Sequence, residues 1–286
     1  MKKLLVLALA TLCSVANAQT PAINPMPDGS RDMYAGLGVL SGPRYDGAGS
    51  RKTSVVPVFQ VQWSNGIFVS GMSAGMHLSS RPSLEFGPLL QLQPARSDAG
   101  QSSGAIGPGN QFTHSSFIMN PEVVHSFTGD NNLAGMDKIE ARLLGGAFFN
   151  YYLTPEWRLA SSWLYGAGND HNGAIAELGV QRLAVAVGAG HTLSFAGGVT
   201  VVNRSYNQAF FGVTPAESVR SGNDYYAPAG GLQDARISVR WNWTLSPSWL
   251  VTSNLQAARL LGSAKNSPLV ERPTNLTVSA ALAYRF

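Results

Sequence analysis

Few residues in this chain stand at a spacing that could do chemistry. Its five histidines, His77, His114, His125, His171 and His191, are scattered, and no pair has metal-ligand spacing. The single cysteine, Cys13, lies in the first apolar stretch of the chain. That excludes a disulfide framework, a thiolate metal site and a cysteine nucleophile from everything after it. The one arrangement with nucleophilic potential is His114-Ser115-Ser116. On an extended strand alternate residues share a face, so His114 and Ser116 would stand side by side, with Glu122 placed to orient the imidazole. A serine and histidine on a barrel wall would suit a lipid-modifying hydrolase. His-x-Ser also arises often by chance, and a polar segment near a barrel rim is the simpler account. Paired carboxylates for glycoside hydrolysis are not evident. Glu140 and Arg142 share one strand face, and Glu177 and Gln181 another. Charges facing a small barrel lumen usually pair with each other to hold the interior together. Gly-Ala-Gly and Gly-Pro-Gly stretches lack the strand-helix context of a phosphate loop and read as turns. No catalytic, cofactor-binding or metal residue is therefore assigned.

The elements that would position these residues follow from composition and pattern. Charged residues make up only 13% of the 286 residues, against about a quarter in a soluble domain, and there are 31 glycines. So little charge would make a soluble surface sticky, but it suits a wall that faces lipid. The net charge is +4 with no Lys/Arg cluster, which argues against nucleic acid as a partner. Lys2 and Lys3, then the apolar Leu4–Leu12, then Ala16-Asn17-Ala18 form a secretory leader with its cleavage site. The expected division is a signal peptide at 1–18, a flexible Pro-rich lead-in at 19–32, and one folded domain at 33–286. Leu12 before Cys13 departs from a lipobox, where a small residue is wanted. A chain without thiols crosses the oxidising periplasm without cross-linking.

Beyond the leader, strict alternation recurs. In Arg236–Leu245, Ile237, Val239, Trp241, Trp243 and Leu245 share one face and Arg236, Ser238, Arg240, Asn242 and Thr244 the other. In the last strand Leu276, Val278, Ala280, Leu282, Tyr284 and Phe286 oppose Thr277, Ser279, Ala281, Ala283 and Arg285. Leu193, Phe195, Val199 and Val201 oppose Thr192, Ser194 and Thr200 in the same way. This is a strand with two different environments. Alternation alone fits both a soluble sandwich and a membrane barrel. Three features favour an all-β, transmembrane antiparallel β-barrel. The candidate strands run about 9 to 14 residues, enough for a tilted bilayer crossing. Trp63, Tyr151, Tyr152, Trp157, Tyr165 and Trp249 cluster at strand ends, where an interfacial girdle sits. Finally, Tyr284-Arg285-Phe286 closes an amphipathic strand on an aromatic residue, as clients of the outer-membrane barrel assembly machinery do.

The candidate strands are Tyr34–Ser41, Ser54–Trp63, Ile67–His77, Ser83–Gln93, Phe112–Phe127, Ile139–Thr154 and Arg158–Ala167. Ala174–Val187, Thr192–Asn203, Leu232–Leu245, Trp249–Ala258 and Asn275–Phe286 bring the count to about 12, an even number as bacterial barrels require. Tight connections at Ser64-Asn65-Gly66, Thr154-Pro155-Glu156, Gly188-Ala189-Gly190 and Ser246-Pro247-Ser248 mostly alternate with long ones at Gly42–Thr53, Gly129–Lys138, Arg204–Gly231 and Leu260–Thr274. One connection breaks the rhythm: Pro94–Gln111 falls on the short-turn side. Either it is a long periplasmic loop or the barrel has ten strands. Gln181 and Arg182, adjacent and polar, predict a β-bulge.

Two blocks resemble the MltA-interacting protein family, also called the MipA/OmpV family of outer-membrane proteins. The first is Gly36-Leu37-Gly38 with Pro43-Arg44-Tyr45-Asp46-Gly47-Ala48-Gly49-Ser50 and Val56-Pro57-Val58-Phe59. The second is Tyr206-Asn207-Gln208-Ala209-Phe210-Phe211-Gly212-Val213-Thr214 with Ser218, Ser221-Gly222 and Tyr225-Tyr226-Ala227-Pro228-Ala229-Gly230-Gly231. It continues through Leu260–Val270 to the terminal Tyr284-Arg285-Phe286, while residues 94–135 match poorly. Lys265 stands where the family usually has an acidic residue. The resemblance implies an outer-membrane location and a noncatalytic scaffold that joins a murein lytic transglycosylase to a bifunctional penicillin-binding protein. Other members are described as porin-like, so a passive channel is the alternative, lined or zipped shut by Arg236, Arg240, Glu140 and Arg142. A lipid-modifying hydrolase using His114 and Ser116 is the third reading. Expected partners are outer-membrane lipid, the two cell-wall enzymes and the barrel assembly machinery. A scaffold would use the short turns, the lead-in and Pro94–Gln111.

Overall fold

The computed structural model describes residues 33–63, 65–79, 81, 83–102, 105, 132–166 and 173–286. Its strands are β1 (Tyr34–Pro43), β2 (Arg51–Gln62), β3 (Ile67–Ser70), β4 (Ser73–Met76), β5 (Leu84–Gln93), β6 (Arg96–Ser97) and β7 (Gly100–Gln101). They continue with β8 (Arg142–Tyr152), β9 (Trp157–Gly166), β10 (Gly173–Gly188), β11 (His191–Val202), β12 (Gly231–Ser246), β13 (Trp249–Leu260) and β14 (Thr274–Arg285). All except the small β6–β7 hairpin form one closed antiparallel barrel, ordered β1-β14-β13-β12-β11-β10-β9-β8-β5-β4-β3-β2. The wall therefore has twelve strands, and the ten-strand alternative falls. β1 closes the barrel against β14 from Tyr34↔Arg285 to Ser41↔Val278. Gly36 allows this close approach, because a Cβ there would lie 2.1 Å from the Leu282 carbonyl oxygen.

The alternation read from sequence is the inside and outside of the wall. On β12, Ile237 is 68% exposed toward the lipid side while Arg236 is 8% exposed toward the lumen. Leu276, Val278, Leu282 and Tyr284 likewise face out on β14, with Ser279, Ala281 and Ala283 buried inside. Outward apolar side chains cost nothing in hydrocarbon, where the same surface in water would be a liability. No helix among the described residues is long and apolar enough to cross a membrane.

Three expectations need correction. Ile67–His77 is not one strand but the hairpin β3–β4, because Gly71 takes φ 57 and lets the chain reverse. That extra reversal changes the phase of everything up to β8. Pro94–Gln101 consequently lies at the long-loop end, so it is not a periplasmic loop. The backbone N–H groups of Ser102 and Gln101 donate to the Ala95 and Arg44 carbonyls there. The second correction concerns Phe112–Phe127, which falls outside the described residues. β5 pairs directly with β8, Leu84↔Tyr151 to Gln93↔Arg142, so no strand stands between them in the wall. Third, Glu140 precedes β8, is exposed, and pairs with Lys138 at 2.9 Å; it does not share the lumen face of Arg142. The expected bulge is present: β10 slips register against β11 between Arg182 and Val185, with Ala184 at φ 48.

Candidate functional site

His114, Ser116 and Glu122 lie outside the described residues, as do His125 and His171. Among the described residues no three His, Cys, Asp or Glu side chains come together. What the fold does bring together are a packed lumen, a tied mouth and an open base.

The lumen is held by charges that reach across an intervening strand. Glu85 on β5, fully buried, accepts from Tyr152 Oη at 2.9 Å and Asn150 Nδ2 at 3.0 Å on β8, and lies 3.5 Å from Arg158 on β9. Arg158 donates onward to Gln181 Oε1 on β10 at 2.9 Å. A second set joins Arg236 on β12 to Glu177 on β10 at 2.6 Å, with Ser162 of β9 donating to the same carboxylate at 3.2 Å. Glu85, Arg158, Glu177 and Arg236 thus each have an opposite charge beside them, as ions out of water require. Elsewhere on the inner wall Tyr34, Val56, Val58, Leu250, Ala281 and Ala283 form an apolar cluster. Of the sequence-named lumen residues, Arg142, Arg236 and Arg240 face inward and are buried; Glu140 does not.

The mouth is closed by the β11–β12 connection, which carries helices α1 (Arg204–Phe211) and α2 (Pro215–Ser221). Asn203 caps α1, accepting from Tyr206 N, and its apolar face turns into the barrel. Tyr206 and Phe210, one turn apart, stack at 4.7 Å and pack with Leu89, Leu144, Leu164 and Ile175 of the wall. A helix end leaves four carbonyls without intrahelical partners. Here all four are met: Gln208 O by Gly212 N, Ala209 O and Phe210 O by Arg96 of β6, and Phe211 O by Ser267 Oγ. The Arg96 guanidinium also sits at the negative end of the helix dipole. Burial pulls its pKa down to about 10, still cationic at neutral pH. α2 has a capping box of Thr214 and Glu217, Pro215 at its first turn, and Gly222 at φ 75 as its stop.

Further ties lock the other loops to this plug. Tyr45 Oη donates to the Leu269 carbonyl and to Glu271, each at 3.0 Å, and Tyr226 Oη donates to the Ser263 carbonyl at 2.8 Å. Burial, reinforced by Glu271, raises the Tyr45 pKa, and burial raises that of Tyr206. Both phenols therefore remain donors. Inside the wall near the mouth lies a cavity of about 80 Å³, lined by Arg44, Lys52, Arg236, Asp234, Gln233 and Asn254 among others.

The base is different. Connections there are short, as at Ser246–Trp249 and Gly188–His191. Trp249 meets Tyr284 edge-on at 5.2 Å, and His191 stacks with Trp241 and with Trp243 at 5.6 and 5.3 Å. Such aromatic rings mark the lower membrane interface. β10 runs on past β9: their pairing ends at Arg182↔Trp157, while β10 continues to Gly188. Sequence reasoning missed Glu85, Arg158, Arg96 and this overhang. Glu85 was findable as a lone carboxylate in an apolar strand, and α2 by its Thr-Pro-Ala-Glu start.

The family described as "MltA-interacting protein MipA" matches residues 35–286. A curated relative, outer membrane protein Omp26La of Vibrio anguillarum, is 25% identical over 171 residues, covering 59% of this chain and 64% of that protein. The match thus spans just under two thirds of the relative's length. Among solved structures, the NanC porin is similar with TM-score 0.46 at 7% identity, covering 89% of this chain and all of that one. The translocator domain of the autotransporter NalP from Neisseria meningitidis gives TM-score 0.45 at 10% identity over 91% and 90% of the two chains. The strand order and lipid-facing wall stand without those likenesses. With the family match running through every wall strand, this outer-membrane β-barrel belongs to the MltA-interacting protein MipA family.

Proposed function

We propose that this barrel is a noncatalytic scaffold for peptidoglycan remodelling, holding a murein lytic transglycosylase beside a bifunctional penicillin-binding protein at the inner surface of the outer membrane. The family name supplies the first partner. The observation that carries the reading is the burial of lumen-facing polar side chains: Glu85, Gln91, Arg158, Gln181, Thr200, Asn242 and Thr252 are all 4% exposed or less. A water-filled pore would leave such groups wet, so function shifts from the lumen to the rims. In barrels of this class the short turns face the periplasm, where both enzymes work.

The test is reconstitution: full-length barrel in nanodiscs, with purified transglycosylase and penicillin-binding protein, followed by crosslinking and mass spectrometry. A ternary complex that needs the barrel is expected; enzymes that never associate with it would sink the scaffold. The channel reading has the polar cavity under the mouth in its favour. Steady conductance of the wild-type barrel in planar bilayers would establish it instead. The hydrolase reading predicts altered lipid A or phospholipid turnover in a Ser116→Ala strain.

A further inference from the structure

The plug does not fill the mouth evenly. Tyr206 and Phe210 of α1 pack with Leu89, Leu144, Leu164 and Ile175, which belong to β5, β8, β9 and β10. On the other arc, from β12 through β13, β14 and β1 to β2, the inner wall is polar, with Asn254, Gln256, Thr277, Ser279 and Ser54 among its side chains. An apolar helix face packed there would bury polar groups without giving them partners. The cavity of about 80 Å³ lies against this polar arc.

The charges of its lining are sorted by sign. On β12, Arg236 is shared between two carboxylates, Glu177 at 2.6 Å and Asp234 at 3.9 Å, so the three together are net negative. Asp46 is near enough to attract the same guanidinium and adds to that excess. Lys52 on β2 and Arg44 just past β1 are instead near enough to repel each other. Among the described residues Lys52 has no ion-pair partner. Unlike the connections tied to α1, this wall also keeps acceptors in reserve. Gln233 Oε1, beside Asp234 on β12, and Asn254 Oδ1 on β13 are buried with no hydrogen-bond partner, and Gln233 is 1% exposed. Buried acceptors are nearly always met by a donor, so these two call for one from outside the chain.

We infer that this cavity binds a small zwitterionic amino acid, with its ammonium toward Asp234 and Gln233 and its carboxylate toward Lys52 and Arg44. The site goes beyond the scaffold reading and does not rest on it. An ammonium is a donor only, which suits a carboxylate flanked by an open amide oxygen. A simple carboxylate would meet Lys52 but bring no donor for Gln233; a simple amine would bring the donor but leave Lys52 without a counter-charge. Size narrows the choice further. At about 10–15 Å³ for each water, the cavity takes roughly six, which is the bulk of an amino acid with a side chain about as small as that of alanine.

Equilibrium dialysis of radiolabelled L-alanine and D-alanine, in separate arms, against the full-length barrel in nanodiscs tests this. Saturable binding of at least one isomer is expected. Ethylamine, propionate and glycerol, which lack one charge or both, should fail to displace it at concentrations where unlabelled alanine does. Lys52→Gln and Gln233→Leu should each weaken binding about tenfold or more, since each removes one hydrogen bond to a charged group. Val219→Ser on α2, where the side chain is 88% exposed, should leave binding unchanged. Heat-modifiable gel migration checks that each variant is still a barrel, and the displacement series on the wild type needs no variant to fold. No saturable binding of either isomer overturns the site. So does displacement by propionate, ethylamine or glycerol as effective as that by alanine, or unchanged affinity in either the Lys52 or the Gln233 variant. The scaffold reading stands in each of these outcomes.

Discussion

The two ends of this barrel solve opposite problems. At the mouth, four connections converge, and side chains from distant segments satisfy the backbone: Arg96 and Ser267 on α1, Tyr45 on the β13–β14 connection, Asn207 Nδ2 on the Ala229 carbonyl. At the base, turns close locally and one strand, β10, is left with a bare flank. The mouth spends its polar groups on itself; the base leaves some unspent. A barrel built to pass solutes would keep its mouth open and its edges covered. This one does the reverse.

The largest effect should come from breaking the buried belt around Glu85 and Arg158. Glu85→Ala leaves the buried Arg158 guanidinium without its carboxylate and Tyr152 and Asn150 without their acceptor. Removing one member of a buried pair costs about 3–5 kcal/mol. The urea midpoint in lipid vesicles, followed by tryptophan fluorescence, should fall accordingly. A Glu85→Leu, Arg158→Met double variant should recover most of the loss, since apolar side chains of similar volume fill the space without a charge to solvate. No recovery would mean that the belt is held by something other than charge pairing.

Next in size, Arg96→Ala strips two carbonyls at the end of α1 of their charged donor. Hydrogen bonds to charged groups contribute about 1.5–3 kcal/mol each way of counting, and the loss should be local to the mouth. Protease cleavage within residues 204–221 should rise while the urea midpoint of the wall changes little. Transient conductance in planar bilayers would sharpen the contrast by showing that α1 is what seals the upper end. A smaller effect, about 1 kcal/mol, is expected of Thr214→Ala, which removes one half of the α2 capping box. Amide exchange at Ser218 and Gly222 is the readout; equal rates in both proteins would show that tertiary ties, not the cap, hold α2.

The wall was legible in the sequence and the mouth was not, for a physical reason. Lipid outside and packed polar groups inside impose a period of two on every strand, so Arg236–Leu245 and Leu276–Phe286 declare their faces residue by residue. The bulge also showed, because Gln181 and Arg182 cannot both face in. The β3–β4 hairpin did not. Its strands are four residues each, too short for alternation, and only the left-handed φ of Gly71 marks the reversal. That single missed turn put Pro94–Gln111 at the wrong end. The plug depends on contacts more than a hundred residues apart, such as Arg96 with Phe210, which no local pattern encodes. The free edge of β10 could not be read from β10 alone, because it arises from β9 being six residues shorter: 10 against 16.

The smallest expected effect is the one that separates the ends most cleanly. Ala186→Lys places a charge on an exposed position that makes no contact with the belt or the plug. Surface substitutions away from packing usually change stability by no more than about 0.5 kcal/mol. The urea midpoint of this variant should therefore match wild type, in contrast to every change above it. Lysine on an edge strand works by making a second strand pay to desolvate the charge, so it acts only on a partner and not on the barrel. A stability loss comparable to Arg96→Ala would show that the overhang is already packed against the rest of the chain. The contrast between a self-satisfied mouth and an unsatisfied base would then be wrong at its lower end.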